Sequence, residues 1–250
     1  MENSVTPRVY VLPDLDAISH RAASIFIETA KRAIAQRGRF LAAISGGSTP
    51  NRLFSLLGTE YAGMLEWQHT DFFWADERCV PKDHKDSNFR SAYEALFSKV
   101  PLPERNLHRI RGEMDPQEEA ARYEDEIRTT WGGSGPPVLD LIMLGMGEDG
   151  HTASLFPGSK SVEETVRLTA AVYAERLKSW RITLTLPVIN NSRDILFLVS
   201  GSSKAEVLKD ILEDSDRKKL YPAGLVMPVN GCLTWLIDKD SSVNLTEKAP

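Results

Sequence analysis

An apolar run that stops at a glycine-rich turn is the strongest fold signal in this sequence. Residues 141–158 read LIMLGMGEDGHTASLFPG, so a predicted strand over 138–144 is followed at once by Glu148, Asp149 and His151. A buried strand, a sharp loop and clustered polar side chains are typical of an open α/β sheet, which places its chemistry at the carboxyl ends of strands. Histidine is the important member, because its side chain takes up and returns protons near neutral pH.

Helical and strand patterns alternate along the whole chain. Strands are predicted at 9–12, 40–44, 70–75, 138–144, 181–186, 195–199 and 233–237, the last of which closes the sheet. Helices are predicted at 14–37, after 50, at 87–99, from 115 to about 131 and at 202–213, with a polar tail that frays from 238. This order predicts one α/β domain over residues 1–250: a Rossmann-like, doubly wound, mainly parallel sheet with helices on both faces. The glycine-rich loop at 131–137 is interpreted as a surface connection rather than a domain boundary.

Charge and composition limit the partners. The 30 basic and 35 acidic residues give a net charge of −5, which gives no reason to expect nucleic acid. No apolar run approaches the roughly 20 residues of a membrane span, and the N-terminus does not look like a signal peptide. Cys79 and Cys232 are interpreted as buried thiols, which favours a reducing compartment. We therefore expect a cytoplasmic enzyme, monomeric or weakly dimeric, whose only expected partner is a small molecule.

The loop SGGSTP at 45–50 joins a predicted strand to a helix that has Pro50 in its first turn. Glycines let the backbone approach a ligand, while free N–H groups and hydroxyls suit a phosphate. The spacing matches neither common phosphate-loop motif, so a tight turn in which Ser48 or Thr49 caps the helix stays equally open. The candidate phosphate-binding residues of this loop are Ser45, Gly46, Gly47, Ser48 and Thr49.

Asp76, Glu77 and Arg78 follow another predicted strand. Arginine offers a rigid fork of donors that suits a carboxylate or a phosphate, and the alternative is an ion pair at a strand end. Asn88 is interpreted as a helix-start residue. Asp76 and Arg78 are candidate catalytic residues.

The turn at 145–151 holds three glycines, which are unfavourable unless the backbone takes unusual dihedrals or a ligand comes close, so Gly147 is a candidate ligand contact. Either Glu148 or Asp149 could orient the imidazole of His151 and stabilise its charged form; the alternative is a structural histidine that caps the turn. The histidines lack metal-ligand spacing, and no metal is assigned.

Two further basic residues, Arg181 and Lys204, could close a phosphate site. Each is read alternatively as a solvated surface charge. Because all three loops follow predicted strands, a parallel sheet would gather them at one edge, where we expect a small anion with a phosphate at one end.

These segments together resemble one known family, the 6-phosphogluconolactonases. The resemblance is carried by SGGSTP (45–50), FFWADERCVPKDHKDSNF (72–89), LGMGEDGHTASLFPG (144–158), RITLTLPVIN (181–190) and FLVSGSSKAEVL (197–208). It implies a fold shared with glucosamine-6-phosphate deaminases and hydrolysis of 6-phospho-D-glucono-1,5-lactone to 6-phospho-D-gluconate, the second step of the oxidative pentose phosphate pathway, without a cofactor. The family's histidine and arginine map to His151 and Arg78, and its phosphate site to the 45–49 loop with Arg181 and Lys204.

A mechanism follows as a hypothesis. His151 takes a proton from water, which attacks the lactone carbonyl, and then returns the proton to the leaving ring oxygen. Arg78 or a loop N–H stabilises the oxyanion, and Asp149 or Glu148 holds the imidazole.

Two other readings stay open. An aldose–ketose isomerase or amino-sugar deaminase on the same scaffold would use a carboxylate such as Asp76 to move a proton between adjacent carbons. The deaminases carry GHIAFNEP, whereas this chain has GHTASLFPG and lacks that glutamate. A sugar-phosphate sensor would need an added DNA-binding module, but the predicted fold begins within about ten residues of the first residue.

Overall fold

The structure is a computed structural model that describes residues 6–246. In chain order its strands are β1 (Arg8–Leu12), β2 (Phe40–Ile44), β3 (Thr70–Trp74), β4 (Asp76–Arg78), β5 (Leu107–His108), β6 (Leu141–Leu144), β7 (Thr169–Ala174), β8 (Ser179–Leu184), β9 (Asp194–Val199) and β10 (Cys232–Asp238). The α-helices are α1 (Leu15–Arg37), α2 (Ser48–Gly58), α3 (Asn88–Ala95), α4 (Pro116–Trp131), α5 (Leu186–Asn190) and α6 (Ala205–Glu213). No helix of this part of the chain is long and apolar enough to cross a membrane.

Seven strands form the main sheet, in the order β1-β10-β9-β6-β2-β3-β5. Every neighbouring pair in it is parallel, which confirms the predicted doubly wound α/β architecture. The prediction that 233–237 closes the sheet is wrong. β10 lies between β9 and β1, so β1 forms that edge.

Three strands form a second, antiparallel sheet in the order β4-β8-β7. Ala75 is the corner between the two sheets, since its N–H donates to Ile44 O of β2 and its carbonyl accepts from Leu184 N of β8. The chain therefore leaves the main sheet directly after β3. The strand predicted at 181–186 exists as β8 but belongs to this small sheet, and β7 was not predicted.

Several helix ends match the signals in the sequence. Asp14 accepts from Ala17 N at 2.9 Å at the start of α1, and Gly38 ends that helix with a φ of 75°. Asp115 caps α4 by accepting from the N–H groups of Gln117 and Glu118. Other predicted elements are shorter: β6 starts at Leu141, and the helix predicted at 202–213 opens with a 3₁₀ turn before α6.

The core lies on both faces of the main sheet. All residues of β2 and β6 are buried, as expected for central parallel strands covered on both sides. On one side Phe26 of α1 packs edge-on against Phe40 and stacks on Phe72. The tail is ordered as far as it is described: Ser241 is fully buried and its N–H donates to Asp238 Oδ1 at 2.8 Å, so fraying from 238 is wrong, and 247–250 lie outside the described residues.

Candidate active site

Four neighbouring strands of the main sheet, β9, β6, β2 and β3, lead into all of the predicted site residues except Arg181, which lies on β8 of the small sheet. Parallel strands end at the same edge, so the loops that follow them meet there, as the sequence predicted. The loop after β9 brings Lys204, the loop after β6 brings His151, and the loop after β2 is the 45–49 segment. After β3 the chain turns into β4, so Asp76–Arg78 forms an edge strand of the small sheet rather than a loop.

The imidazole of His151 is held by Asp149. Nδ1 of His151 lies 2.5 Å from Asp149 Oδ1, and the same oxygen accepts from the His151 backbone N–H at 3.2 Å. Burial acts to raise the pKa of Asp149, but the hydrogen bonds and charge of His151 outweigh it and hold that pKa below its ordinary value. Of the two carboxylates that the sequence left open, Asp149 is therefore the one that orients the imidazole.

Gly147 is required by the same pair. A Cβ at this position would lie 2.1 Å from His151 Nδ1 and 2.8 Å from Asp149 Oδ1. Its N–H donates to His151 O at 2.9 Å, which closes the turn. The glycine therefore makes room for the imidazole, a role distinct from the ligand contact that the sequence predicted.

Glu148 contacts Lys204. Its side chain is 68 % exposed and its Oε1 lies 3.4 Å from Lys204 Nζ. The Ser203 hydroxyl and Lys204 together hold the pKa of Glu148 below its ordinary value. Lys204 is only 20 % exposed, so it is not the solvated surface charge of the alternative interpretation.

These residues share one cleft of about 1360 Å³. Gly147, Asp149 and His151 line it together with Glu148 and Lys204. The β7–β8 hairpin also lines the cleft, and its members Tyr173, Arg176 and Trp180 were not identified from the sequence. Tyr173 and Trp180 meet edge to face at 5.4 Å, and Arg176 Nη1 lies 4.0 Å from Asp149 Oδ2. These residues were missed because β7 was not predicted, and without β7 the sequence gives no hairpin with β8.

Arg78 and Arg181 lie directly opposite each other on β4 and β8. Burial and the charge of Arg78 lower the pKa of Arg181. Arg78 donates to Asp86 O at 2.6 Å through Nη1, while its buried Nε has no hydrogen-bond partner in the described part of the chain. Like charges opposite each other destabilise a sheet, so this pair with a free donor suits the anionic groups of a ligand.

Asp76 is buried and both of its carboxylate oxygens are hydrogen bonded. Oδ2 accepts from Ser154 Oγ at 2.7 Å, and Oδ1 accepts from Asn88 Nδ2 at 3.3 Å. Ser154 lies three residues after His151, so Asp76 connects β4, α3 and the histidine loop. Asn88 begins α3 as predicted, but its amide also lies so close to Gly46 that a Cβ there would be 1.9 Å from Asn88 Oδ1.

Glu77 stabilises the start of α3. Its carboxylate accepts from the N–H groups of Arg78, Asn88 and Phe89 and from the Ser87 hydroxyl. Burial raises the pKa of Glu77 although these hydrogen bonds oppose the shift. The middle residue of the Asp-Glu-Arg cluster is therefore a helix cap rather than a group facing a ligand.

The 45–49 loop leads into α2 without a side-chain cap. Gly47 is the N-cap with a φ of 112°, so the alternative in which Ser48 or Thr49 caps the helix is wrong. The hydroxyl of Ser45 is buried and has no partner among the described residues. The uncapped helix start and this hydroxyl fit an anion that supplies the missing acceptors.

Tyr221 supports the histidine loop from outside the cleft. Gly150 has a φ of 75°, and a Cβ there would lie 2.5 Å from the Tyr221 ring. Tyr221 donates to Asp210 Oδ2 at 2.7 Å, and Arg217 pairs with the other oxygen of Asp210 at 2.9 Å.

In residues 6–246, no group of three or more His, Cys, Asp or Glu side chains is arranged to hold a metal ion.

Comparison with known proteins places this chain in a family. The sequence model described as glucosamine-6-phosphate isomerases/6-phosphogluconolactonase matches residues 13–235. A 6-phosphogluconolactonase from Synechocystis sp. is 37% identical over 244 residues, which cover 96% of this chain and 99% of that protein. A solved 6-phosphogluconolactonase from Trypanosoma cruzi superposes with a TM-score of 0.88 at 30% identity and covers 98% of both chains. A monomeric glucosamine-6-phosphate deaminase shares the fold, with a TM-score of 0.78 at 23% identity over 95% of this chain and 99% of that one.

Proposed function

Since the chain belongs to the glucosamine-6-phosphate isomerase/6-phosphogluconolactonase family, we propose that it hydrolyses 6-phospho-D-glucono-1,5-lactone to 6-phospho-D-gluconate in the oxidative pentose phosphate pathway. The observation that carries this proposal is the His151–Asp149 pair, at 2.5 Å, in a cleft that also contains Lys204. A general base beside a binding group for an anion is what hydrolysis of a phosphorylated lactone requires.

His151 is the proposed general base. With the Nδ1 proton donated to Asp149, Nε2 is left to accept a proton from water. The water oxygen bonds to the lactone carbonyl carbon, and the carbonyl becomes an oxyanion. As that oxyanion collapses, the bond to the ring oxygen breaks and His151 returns the proton to the departing oxygen. Asp149 stabilises the imidazolium between these two steps, and the reaction uses no cofactor.

Arg78 is the proposed oxyanion donor, because its buried Nε has no partner in the described part of the chain. The phosphate is assigned to Arg181, Lys204 and the loop of Ser45, Gly46, Gly47, Ser48 and Thr49. Gly147 contributes by letting the imidazole sit against the backbone. Asp76 enters as a positioning residue, since it ties Ser154 of the histidine loop to Asn88 of α3.

The competing isomerase and deaminase reactions are disfavoured by the same contacts. Each needs a carboxylate that can accept a proton from carbon, and the oxygens of Asp76 already accept from Ser154 and Asn88. The glutamate of the GHIAFNEP pattern is also absent after His151. A binding-only sensor would not need the His151–Asp149 pair.

The cellular setting is proposed from the cysteines and the charge. Cys79 and Cys232 are both free thiols, which supports a reducing compartment such as the cytoplasm. The net charge of −5 supports neither nucleic acid nor an anionic membrane surface as a partner. The proposed oligomeric state is a monomer or a weak homodimer, and sedimentation at two concentrations would test it.

The decisive experiment is hydrolysis of freshly generated lactone with the spontaneous rate subtracted. Glucose-6-phosphate dehydrogenase generates the lactone, and 6-phosphogluconate dehydrogenase reports the product. We expect acceleration by the protein and its loss in His151→Ala, with affinity for 6-phosphogluconate kept within a few-fold. No acceleration by the unchanged protein, with phosphosugar still bound, would refute the proposed reaction, and full turnover by the variant would refute the role of His151.

A further inference from the structure

One ion pair of the cleft has no role in the proposed reaction. Lys204 Nζ lies 3.4 Å from Glu148 Oε1, and both residues line the cleft with His151. Asp149 is the carboxylate that contacts the imidazole, so Glu148 is not needed to orient it. A negative charge therefore stands beside an ammonium group that the proposed function assigns to the substrate phosphate.

The two partners of this ion pair differ in their exposure to solvent. Lys204 is 20 % exposed, whereas Glu148 is 68 % exposed. An exposed ion pair is weak, because solvent screens it and two long side chains must be ordered. A lysine ammonium is a point charge with rotatable donors, so it can exchange one acceptor for another. A dianionic phosphate is a stronger acceptor than one carboxylate, so the exchange is favourable.

We propose that Glu148 is an internal competitor for phosphate: its carboxylate pairs with Lys204 in the free protein, gives way when the substrate phosphate arrives, and returns as the product phosphate leaves. This inference rests on the proposed function. Its effect is to weaken the binding of substrate and product alike, which favours release of a product that carries the same phosphate. A lactone without a phosphate gains nothing from the exchange.

The test is Glu148→Gln, which keeps the side-chain shape and removes the charge. We expect KM for the phosphorylated lactone, and the Kd for 6-phosphogluconate and inorganic phosphate measured by calorimetry, to fall about two- to five-fold. KM for unphosphorylated gluconolactone should not change. The gain in phosphate affinity from Glu148→Gln should be smaller in a Lys204→Met background, because Glu148 then has no ammonium group to pair with.

Glu175→Gln is the matched control, since Glu175 lines the same cleft on the hairpin tip and is exposed. It should give a smaller gain in phosphate binding than Glu148→Gln. Weaker phosphate binding in Glu148→Gln would overturn the inference, because Glu148 would then be positioning Lys204. Equal gains in Glu175→Gln or in the Lys204→Met background would also overturn it and assign the effect to the general field of the cleft. Phosphate binding decides this question even if the unchanged protein hydrolyses no lactone.

Discussion

A single carboxylate decides how the imidazole of His151 can act. Asp149 Oδ1 accepts from the ring and from the backbone of the same residue, so one atom fixes both the position of the ring and its tautomer. The neighbouring Glu148 also carries a carboxylate, and the contacts in the structure separate the two roles: Asp149 contacts His151 and Glu148 contacts Lys204. Sequence reasoning could identify the acidic pair but had no means of choosing between its members.

Asp149→Asn should lower kcat about 100-fold or more, because an amide neither stabilises the imidazolium nor enforces a proton on Nδ1. Phosphosugar affinity should stay within a few-fold, since Asp149 is not among the proposed phosphate ligands. Steady-state kinetics of the lactone, together with calorimetry of 6-phosphogluconate, separates the two effects. A variant with unchanged kcat would show that the ring needs no carboxylate.

Arg78→Lys should also impair turnover, by about 100-fold in kcat. A lysine supplies one point charge where Arg78 presents a rigid fork, and it has no counterpart of the buried Nε. Glu77 and the β4 pairing should survive, so the thermal transition should move little. Measuring kcat and the melting temperature on the same sample separates a loss of catalysis from a loss of stability. Unchanged kcat would mean that Arg78 has only a structural role.

The turn after β6 is the element that positions the His151–Asp149 pair. Gly145 and Gly147 lie two residues apart in it but have different surroundings. A Cβ on Gly147 would meet the imidazole at 2.1 Å, whereas a Cβ on Gly145 would meet nothing within 4 Å. Neither position has a positive φ, so the comparison is one of contact rather than backbone strain.

Gly147→Ala should therefore displace His151 from Asp149 and remove most of the turnover, while Gly145→Ala should keep it. Both variants lose the same backbone freedom, so their difference isolates the contact with the ring. Lactone hydrolysis and circular dichroism would be measured on the two proteins side by side. Equal activities would mean that the ring can be accommodated elsewhere in the cleft.

At the level of the whole molecule, a buried histidine links the edge of the main sheet to α4. His108 of β5 lies 3.0 Å from both Asp71 and Glu126 and stacks on Phe73. Burial lowers the pKa of His108, but the two carboxylates outweigh it and raise the pKa to about 9 from an ordinary value of 6.5. The charged ring thus stabilises the fold through residues that do not line the cleft.

This stabilisation should depend on pH in a defined direction. It is complete below pH 6.5, where the unfolded chain also carries the proton, and it is lost as the pH rises through about 9. Its size is at most roughly 3 kcal/mol. Urea unfolding of His108→Gln should show lower stability than the unchanged protein at pH 6.5 and a smaller difference at pH 10. His69→Gln, at an exposed histidine, is the control, and a difference independent of pH would contradict the charged form.

The longer strands and helices could be predicted because each carries its own local pattern, from the caps of α1 and α4 to the apolar run of β6, whereas β4, β5, β7 and α5 were not predicted. The sheet to which each strand belongs could not be predicted, because it depends on pairing partners that are distant in sequence. The RITLTL pattern correctly predicted a strand, but nothing in it indicates that its partner is Asp76–Arg78 rather than a main-sheet strand. For the same reason the predictions identified Arg78 and Arg181 separately and missed that they are cross-strand neighbours.

The position of β1 has a consequence for how the molecule can be divided. In the main sheet β10, β9 and β6, all from the second half of the chain, are inserted between β1 and β2 from the first half. A chain cut in the loop at 132–137 would give two fragments, each with unpaired strand edges and only part of the proposed catalytic residues. Neither fragment should fold alone. Activity should return only when both fragments are present and the strands of the second half pair between β1 and β2. Complementation between co-expressed halves would then report the folding of the complete molecule.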